Sequence, residues 1–280
     1  MLDKLKRLFF PPACAACGEL LDPIRADVGG ASECALCPVC LAAWKKRRAP
    51  RYANGFDSVS PTLAAGGCFE HISVISYKTG NFDGVPERLI YHLKHKGTGR
   101  AFCFAAKELS DIISQSCDLS VTEKPLVAYT PRRKSAIRKD GFDQAKRLAE
   151  ELSSSLGIPC TDVIERQSAN TKEQKHLDSK ERIENAEKAF ALSDGADEIC
   201  FGKTVLLVDD LLTTGATGGA CSMLLLRAGA RRVIAVSLAR TESEVEANLW
   251  ILQDLSRQVA ANQWILRITI QKVGDICEFR

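Results

Sequence analysis

The sequence has 280 residues, long enough for one sizeable α/β core and a small appendage. Apolar residues make up 45% and charged residues 26%, which is ordinary for a soluble globular protein. A net charge of +3 is too small to argue for nucleic acid by itself, so any basic surface must come from local clustering.

Residues 1–10 are short, basic and amphipathic, and Pro11 and Pro12 follow them. They lack the long apolar core of a secretion signal, and no later run is long enough to span a bilayer, so a cytoplasmic protein is expected. Five of the twelve cysteines (Cys14, Cys17, Cys34, Cys37 and Cys40) crowd into one early segment. In a reducing cytosol such density points to metal rather than disulfides. Scattered thiols such as Cys103, Cys160 and Cys221 sit in apolar patterns and read as small buried hydrophobes.

Residues 1–48 read as a zinc-binding module with a basic exit, Lys45, Lys46, Arg47 and Arg48, and residues 49–70 as a linker. From 71 to 240 strands and helices alternate. The pattern predicts a strand over 72–77, amphipathic helices over 85–95 and 100–116, and a strand over 126–130. Next come a helix over 142–156 stopping at Gly157, a short strand over 161–164 and a long polar segment, 165–187. A strand over 204–208, a helix over 217–228 and a strand over 232–238 complete the alternation. Such order implies parallel strands joined by right-handed crossovers, and the unbroken apolar runs at 205–208 and 233–236 suit strands buried on both faces. Residues 241–280 form an extension with no evident role.

The most informative stretch is the thirteen residues 205–217, in which a buried strand delivers Asp209 and Asp210 to its carboxyl end. Ligands of open parallel sheets bind at that edge. Thr213, Thr214, Gly215, Ala216 and Thr217 are small or hydroxylated, and Gly215 is free to adopt a positive φ. Backbone N–H groups there can converge on a phosphate with the positive end of the next helix behind them. Asp209 and Asp210 are acceptor-only anions that suit vicinal sugar hydroxyls and are wrong for the phosphate. One loop thus presents donors to an anion and acceptors to a diol, the two needs of a ribose 5-phosphate.

This stretch resembles the signature of the type I phosphoribosyltransferases: apolar residues, two acidics, then Thr-Thr-Gly-x-Thr. Three more segments narrow the likeness: Lys94-His95-Lys96-Gly97, then Gly141-Phe142-Asp143-Gln144, then Gln174-Lys175-His176-Leu177 followed by Arg182, Asn185, Ala189 and Phe190. With the amino-terminal cysteines, they resemble the ComF family (ComFC-like proteins) of bacterial DNA uptake over roughly residues 11–240. The resemblance implies a type I phosphoribosyltransferase-like parallel sheet flanked by helices, fused to a zinc module. It also implies phosphoribosyl diphosphate (PRPP) with Mg²⁺ as ligand, and single-stranded DNA and competence-system proteins as candidate partners. In such a site Asp209 and Asp210 are the catalytic pair, and Lys94, Lys96, Arg138 and Lys139 are candidates for the departing diphosphate. Taken singly, each of these cations also fits a solvated surface charge. The family pattern Arg-Gly-Phe-Asn-Gln reads Asp140-Gly141-Phe142-Asp143-Gln144 here, which puts two carboxylates where a diphosphate is expected. Arg132, Arg133, Lys134, Arg138 and Lys139 are available to compensate. The 165–187 segment is either a flap that excludes water or a plain helical excursion.

Cys14-x-x-Cys17 and Cys37-x-x-Cys40 lie nineteen residues apart, a spacing suited to paired zinc knuckles. Cys34 is a spare that could replace Cys37. Trp44 and the basic run after it are candidates to stack on and neutralise nucleic acid. Two functions stay in play: a phosphoribosyltransferase-like protein that binds PRPP and Mg²⁺, and a non-catalytic adaptor that holds single-stranded DNA or competence proteins.

Overall fold

A computed structural model describes residues 11–21, 35–48, 70–77, 84–117, 119, 124–167, 188–213 and 215–241. Cys34, Thr214, most of the expected flap and everything after 241 lie outside the described residues. The chain divides into two units, 1–241 and 242–280, and the fold below is that of the first.

In chain order the elements are α1 (Pro38–Arg48), β1 (Glu70–Tyr77), α2 (Val85–His95), α3 (Gly99–Ser116), β2 (Leu126–Tyr129), α4 (Lys134–Asp140) and α5 (Gln144–Leu156). There follow β3 (Ile164–Arg166), β4 (Phe190–Leu192), α6 (Ala196–Cys200), β5 (Thr204–Leu212), α7 (Ala216–Arg227) and β6 (Arg232–Thr241). β1, β6, β5 and β2 form one parallel sheet in that order, as the alternation predicts.

Residue parity along β5 decides which face each side chain meets. Leu206 and Val208 join a core with Leu89 and Leu93 of α2, Phe102 and Leu109 of α3, and Leu148 and Leu152 of α5. Val205 and Leu207 join a second core with Cys221 and Leu225 of α7. Both faces are covered, so the run has no polar alternation. Each of these side chains, fully buried, stabilises the fold by roughly 1.5–3 kcal/mol. The caps are also legible: Asp143 accepts from the N–H groups of Ala145 and Lys146 at the start of α5, and Gly157 ends that helix in the left-handed region.

Three expectations need correction. The strand read over 204–208 runs on to Leu212, because β6 continues to Thr241 and pairs with it through Leu212↔Arg240. The strand read over 161–164 does not join the sheet as one. Cys160 makes a single bridge to Val127, and the chain then forms β3, which pairs antiparallel with β4 in a separate two-stranded ribbon. Helices α4 and α6, of seven and five residues, are too short to show a clear amphipathic period, and α1 buries only Cys40 and Trp44 and so carries no apolar stripe, so periodicity missed all three.

The cysteine module is not a loose appendage. Trp44 of α1 is fully buried, packs edge-on against Phe104 at 5.5 Å, and donates its indole N–H to Glu108 at 2.7 Å. Trp44 therefore cannot stack on nucleic acid. Arg48 joins the same carboxylate at 3.2 Å, whereas Lys45, Lys46 and Arg47 remain exposed.

Candidate functional site

The extension of β5 places Asp209 and Asp210 within a paired strand, and alternation turns them to opposite faces. Asp210, 4% exposed, lies on the α2 side, where Lys94 reaches it at 3.5 Å. Asp209 lies on the α7 side and borders a narrow cleft with Thr130, Gly218 and Ser237. The backbone N–H of Asp210 donates to Asp209 Oδ1 at 2.8 Å. Burial, and then the adjacent Asp210, push the Asp209 carboxyl well above the usual carboxylate range.

Beyond Leu212 the chain turns through an exposed Thr213 to Gly215, whose φ of +71° caps α7 from the left-handed region. Ala216 and Thr217 open α7, and the Gly219 N–H closes the first turn on the Gly215 carbonyl at 2.7 Å. The first N–H groups of a helix have no intrahelical partner and face the loop, which makes this end a natural seat for an anion. Thr130 and Ser237, which sequence reasoning did not single out, border the same edge from β2 and β6. Their signal was positional only, as hydroxylated residues at strand ends.

Two of the family-like segments interlock beside this edge. Gly97, at φ +56°, lies under the Phe142 ring so closely that an added Cβ would fall 2.4 Å from it. Phe142 packs edge-on against Phe102 at 5.9 Å, and Arg147 donates to the Gly97 carbonyl at 2.8 Å. A Gly97→Ala variant combines overpacking with left-handed strain and should lose roughly 2–4 kcal/mol. A thermal melt checks this, and a second substitution, Phe142→Leu, should recover part of the loss.

The two acidic departures are put to structural use. Asp143 accepts from the backbone N–H of Arg132 at 2.8 Å as well as capping α5. Asp140 pairs with Arg132 at 2.6 Å and lies 3.4 Å from His95. Burial alone would raise the Asp140 carboxyl, but hydrogen bonds from His95 and Arg132 outweigh it and hold it below its ordinary value. A carboxyl with a depressed folded pKa adds stability above its unfolded value near 4, and that stability is lost as pH falls through the folded value. The stability gap between wild type and Asp140→Asn should thus be full at pH 7 and close as pH falls below about 4. Parallel melts across pH would read it.

Of the other expected cations, two lie on α4, whose last residue, Asp140, is 3.4 Å from His95 of α2. Arg138 and Lys139 are exposed at the end of α4. Lys96 follows α2 and lines a separate cavity beside the cysteine turn.

In the module, the Sγ atoms of Cys14, Cys17, Cys37 and Cys40 all lie within 4.8 Å of one another, with Cys17 and Cys37 at 3.7 Å. A tetrahedral ion with metal–sulfur bonds of about 2.3 Å has sulfur–sulfur edges of about 3.8 Å, so the four thiols fit one. Burial raises the Cys14 thiol, but the backbone N–H groups of Cys17, Cys37 and Ala16 outweigh it and bring it down to about 7. A lowered thiol suits a metal ligand, whereas burial pushes the Cys37 and Cys40 thiols up, so the fit to an ion rests on the sulfur geometry. Gly18, at φ +78°, closes this turn with its N–H on the Cys14 carbonyl at 2.9 Å.

The parallel sheet, its acidic edge and the glycine-capped helix agree with a comparison of families: residues 136–263 match the phosphoribosyl transferase domain family. The chain is homologous to Competence protein F of Haemophilus influenzae, 36% identical over 100 residues, which cover 36% of this chain and 43% of that protein. It is also homologous to DNA utilization protein YhgH of Salmonella typhimurium, 25% identical over 209 residues, or 74% of this chain and 90% of that protein. The YhgH of Salmonella typhi matches equally, at 25% over 209 residues. The chain thus matches less than half the length of Competence protein F. Among the described residues, no helix is long and apolar enough to cross a membrane.

Proposed function

We propose that the chain binds PRPP with Mg²⁺ at the carboxyl edge of β5, and that it acts as a cytoplasmic phosphoribosyltransferase in competence or DNA utilization. The observation that carries this reading is the convergence of Asp209, Asp210 and Lys94 with the glycine-capped start of α7 on one sheet edge. The amides and hydroxyls of 213–217 hold the 5-phosphate, and Asp209 and Asp210 hold the ribose hydroxyls. Lys94, already drawn toward Asp210, takes charge from the departing diphosphate. Magnesium leans on substrate phosphates and waters and needs no dedicated protein cage. Cys14, Cys17, Cys37 and Cys40 hold a structural zinc. A diphosphate-release assay with Mg²⁺ and PRPP over a panel of bases tests the activity, and release with none of them leaves ligand binding without transfer.

A second reading, an adaptor for single-stranded DNA, is favoured by the exposed Lys45, Lys46 and Arg47 on α1. Affinity for oligothymidylate should then fall steeply with salt through counterion release. Salt-insensitive binding, or none at low salt, removes that contact.

A further inference from the structure

Outside the phosphoribosyl edge, a cavity of about 530 Å³ opens between the 13–18 cysteine turn and α2. Its α2 wall consists of Glu87, Arg88, Tyr91, His92 and Lys96. Arg88, His92 and Lys96 are spaced four residues apart, so they form one row along the helix. Glu87 and Tyr91, also four apart, form the neighbouring row. Arg88 and Lys96 are exposed, and among the described residues neither has a carboxylate at ion-pair distance. Eight helical residues separate them by about 12 Å, so they present two cationic points across the cavity rather than one cluster. Tyr91 is 58% exposed, with one side of its ring against His95 at 4.6 Å. Glu87 is only 4% exposed.

The chemistry of this wall is selective. Two exposed cations want an anion, an exposed aromatic ring wants a flat partner, and a largely buried carboxylate wants an N–H donor and repels a ligand that is only anionic. Inorganic phosphate satisfies the first need and violates the third. A nucleotide satisfies all three, and a cavity of this volume falls in the range that holds such a molecule.

We propose that this cavity is a second binding site, which takes one nucleotide unit with its phosphate on Arg88 and Lys96 and its base stacked on Tyr91 within reach of Glu87. The site is independent of the phosphoribosyl reading. The opposite wall is the cysteine turn itself, with Cys17 at the cavity surface, so an intact module is part of the site.

The probe is 2′-deoxyadenosine 3′-monophosphate, which has a base with an amino donor, no 5′-phosphate and no vicinal diol, and so suits this cavity rather than the edge of β5. In calorimetry on the full chain, the wild type should bind it. Tyr91→Ala and the double variant Arg88→Ala/Lys96→Ala should each weaken it about tenfold or more. All three side chains are exposed, so melts should show these variants folded. Asp210→Asn should leave the affinity unchanged. A 3′-phosphorylated hexadeoxyadenylate identifies the source of the unit. Tighter binding than the mononucleotide makes it part of a strand, equal binding makes it a free nucleotide, and both place it in the cavity. Failure of the wild type to bind either probe overturns the proposal, as does wild-type affinity in both cavity variants. Loss of binding in Asp210→Asn alone would move the nucleotide to the phosphoribosyl edge, which overturns this site and leaves the proposed function standing.

Discussion

Replacing Cys37 by serine is expected to strip the metal from the chain and release the cysteine module from α3. The four thiols all lie within 4.8 Å of one another, and structural zinc contributes roughly 10–16 kcal/mol to modules of this kind. Cys37 is buried and its Sγ lies 3.7 Å from that of Cys17, so its loss removes one corner of the tetrahedron and leaves three thiols crowded together. The effect should reach the main core, because Trp44 on α1 is fixed to Phe104 and Glu108 of α3. Elemental analysis should read about one zinc per wild-type chain and almost none in the variant. Full zinc in Cys37→Ser would show that Cys34 serves as the fourth ligand, or that the metal is elsewhere.

The second large effect separates the two ends of the phosphoribosyl ligand. Asp210→Asn removes the anionic acceptor that Lys94 faces and leaves the glycine cap of α7 untouched. Hydrogen bonds to charged groups are worth roughly 1.5–3 kcal/mol, so PRPP affinity should fall about ten- to a hundredfold. A simple alkyl phosphate, which has no diol, should bind as before. Thr214→Val should weaken both ligands, because both share the phosphate. If 205–217 were only a structural turn, both variants would lose thermal stability without a selective loss of either ligand. Calorimetry with each ligand, after melts of each variant, separates these outcomes.

Sequence pattern carried the parallel sheet, its core helices and the cysteine cluster, because each follows from local periodicity or spacing. Buried runs at 205–208 and 233–236 suit strands covered on both faces, and the paired Cys-x-x-Cys turns suit ligands of one small ion. The limits were those of non-local pairing. That β5 continues through Asp209 and Asp210 depends on β6 running to Thr241 beside it, which no window over 204–212 contains. The opposite facing of the two carboxylates follows from that pairing alone. Trp44 looked available because its own segment is polar and basic, and only the packing of α1 on α3 buries it. Likewise Asp140 and Asp143 read as misplaced anions until Arg132, His95 and the start of α5 were brought to them. Lys94 and Lys96, two apart on a helix, point to different places, as helical geometry requires.

The central claim is that the edge of β5 holds a phosphoribosyl diphosphate. Titrating the wild-type chain with PRPP in the presence and absence of Mg²⁺ tests it most directly. One equivalent should bind, more tightly with the metal, and at a hundredfold excess over Kd should stabilise the fold by about 2.7 kcal/mol. Neither heat nor a shift in melting temperature at millimolar PRPP with Mg²⁺ would contradict it.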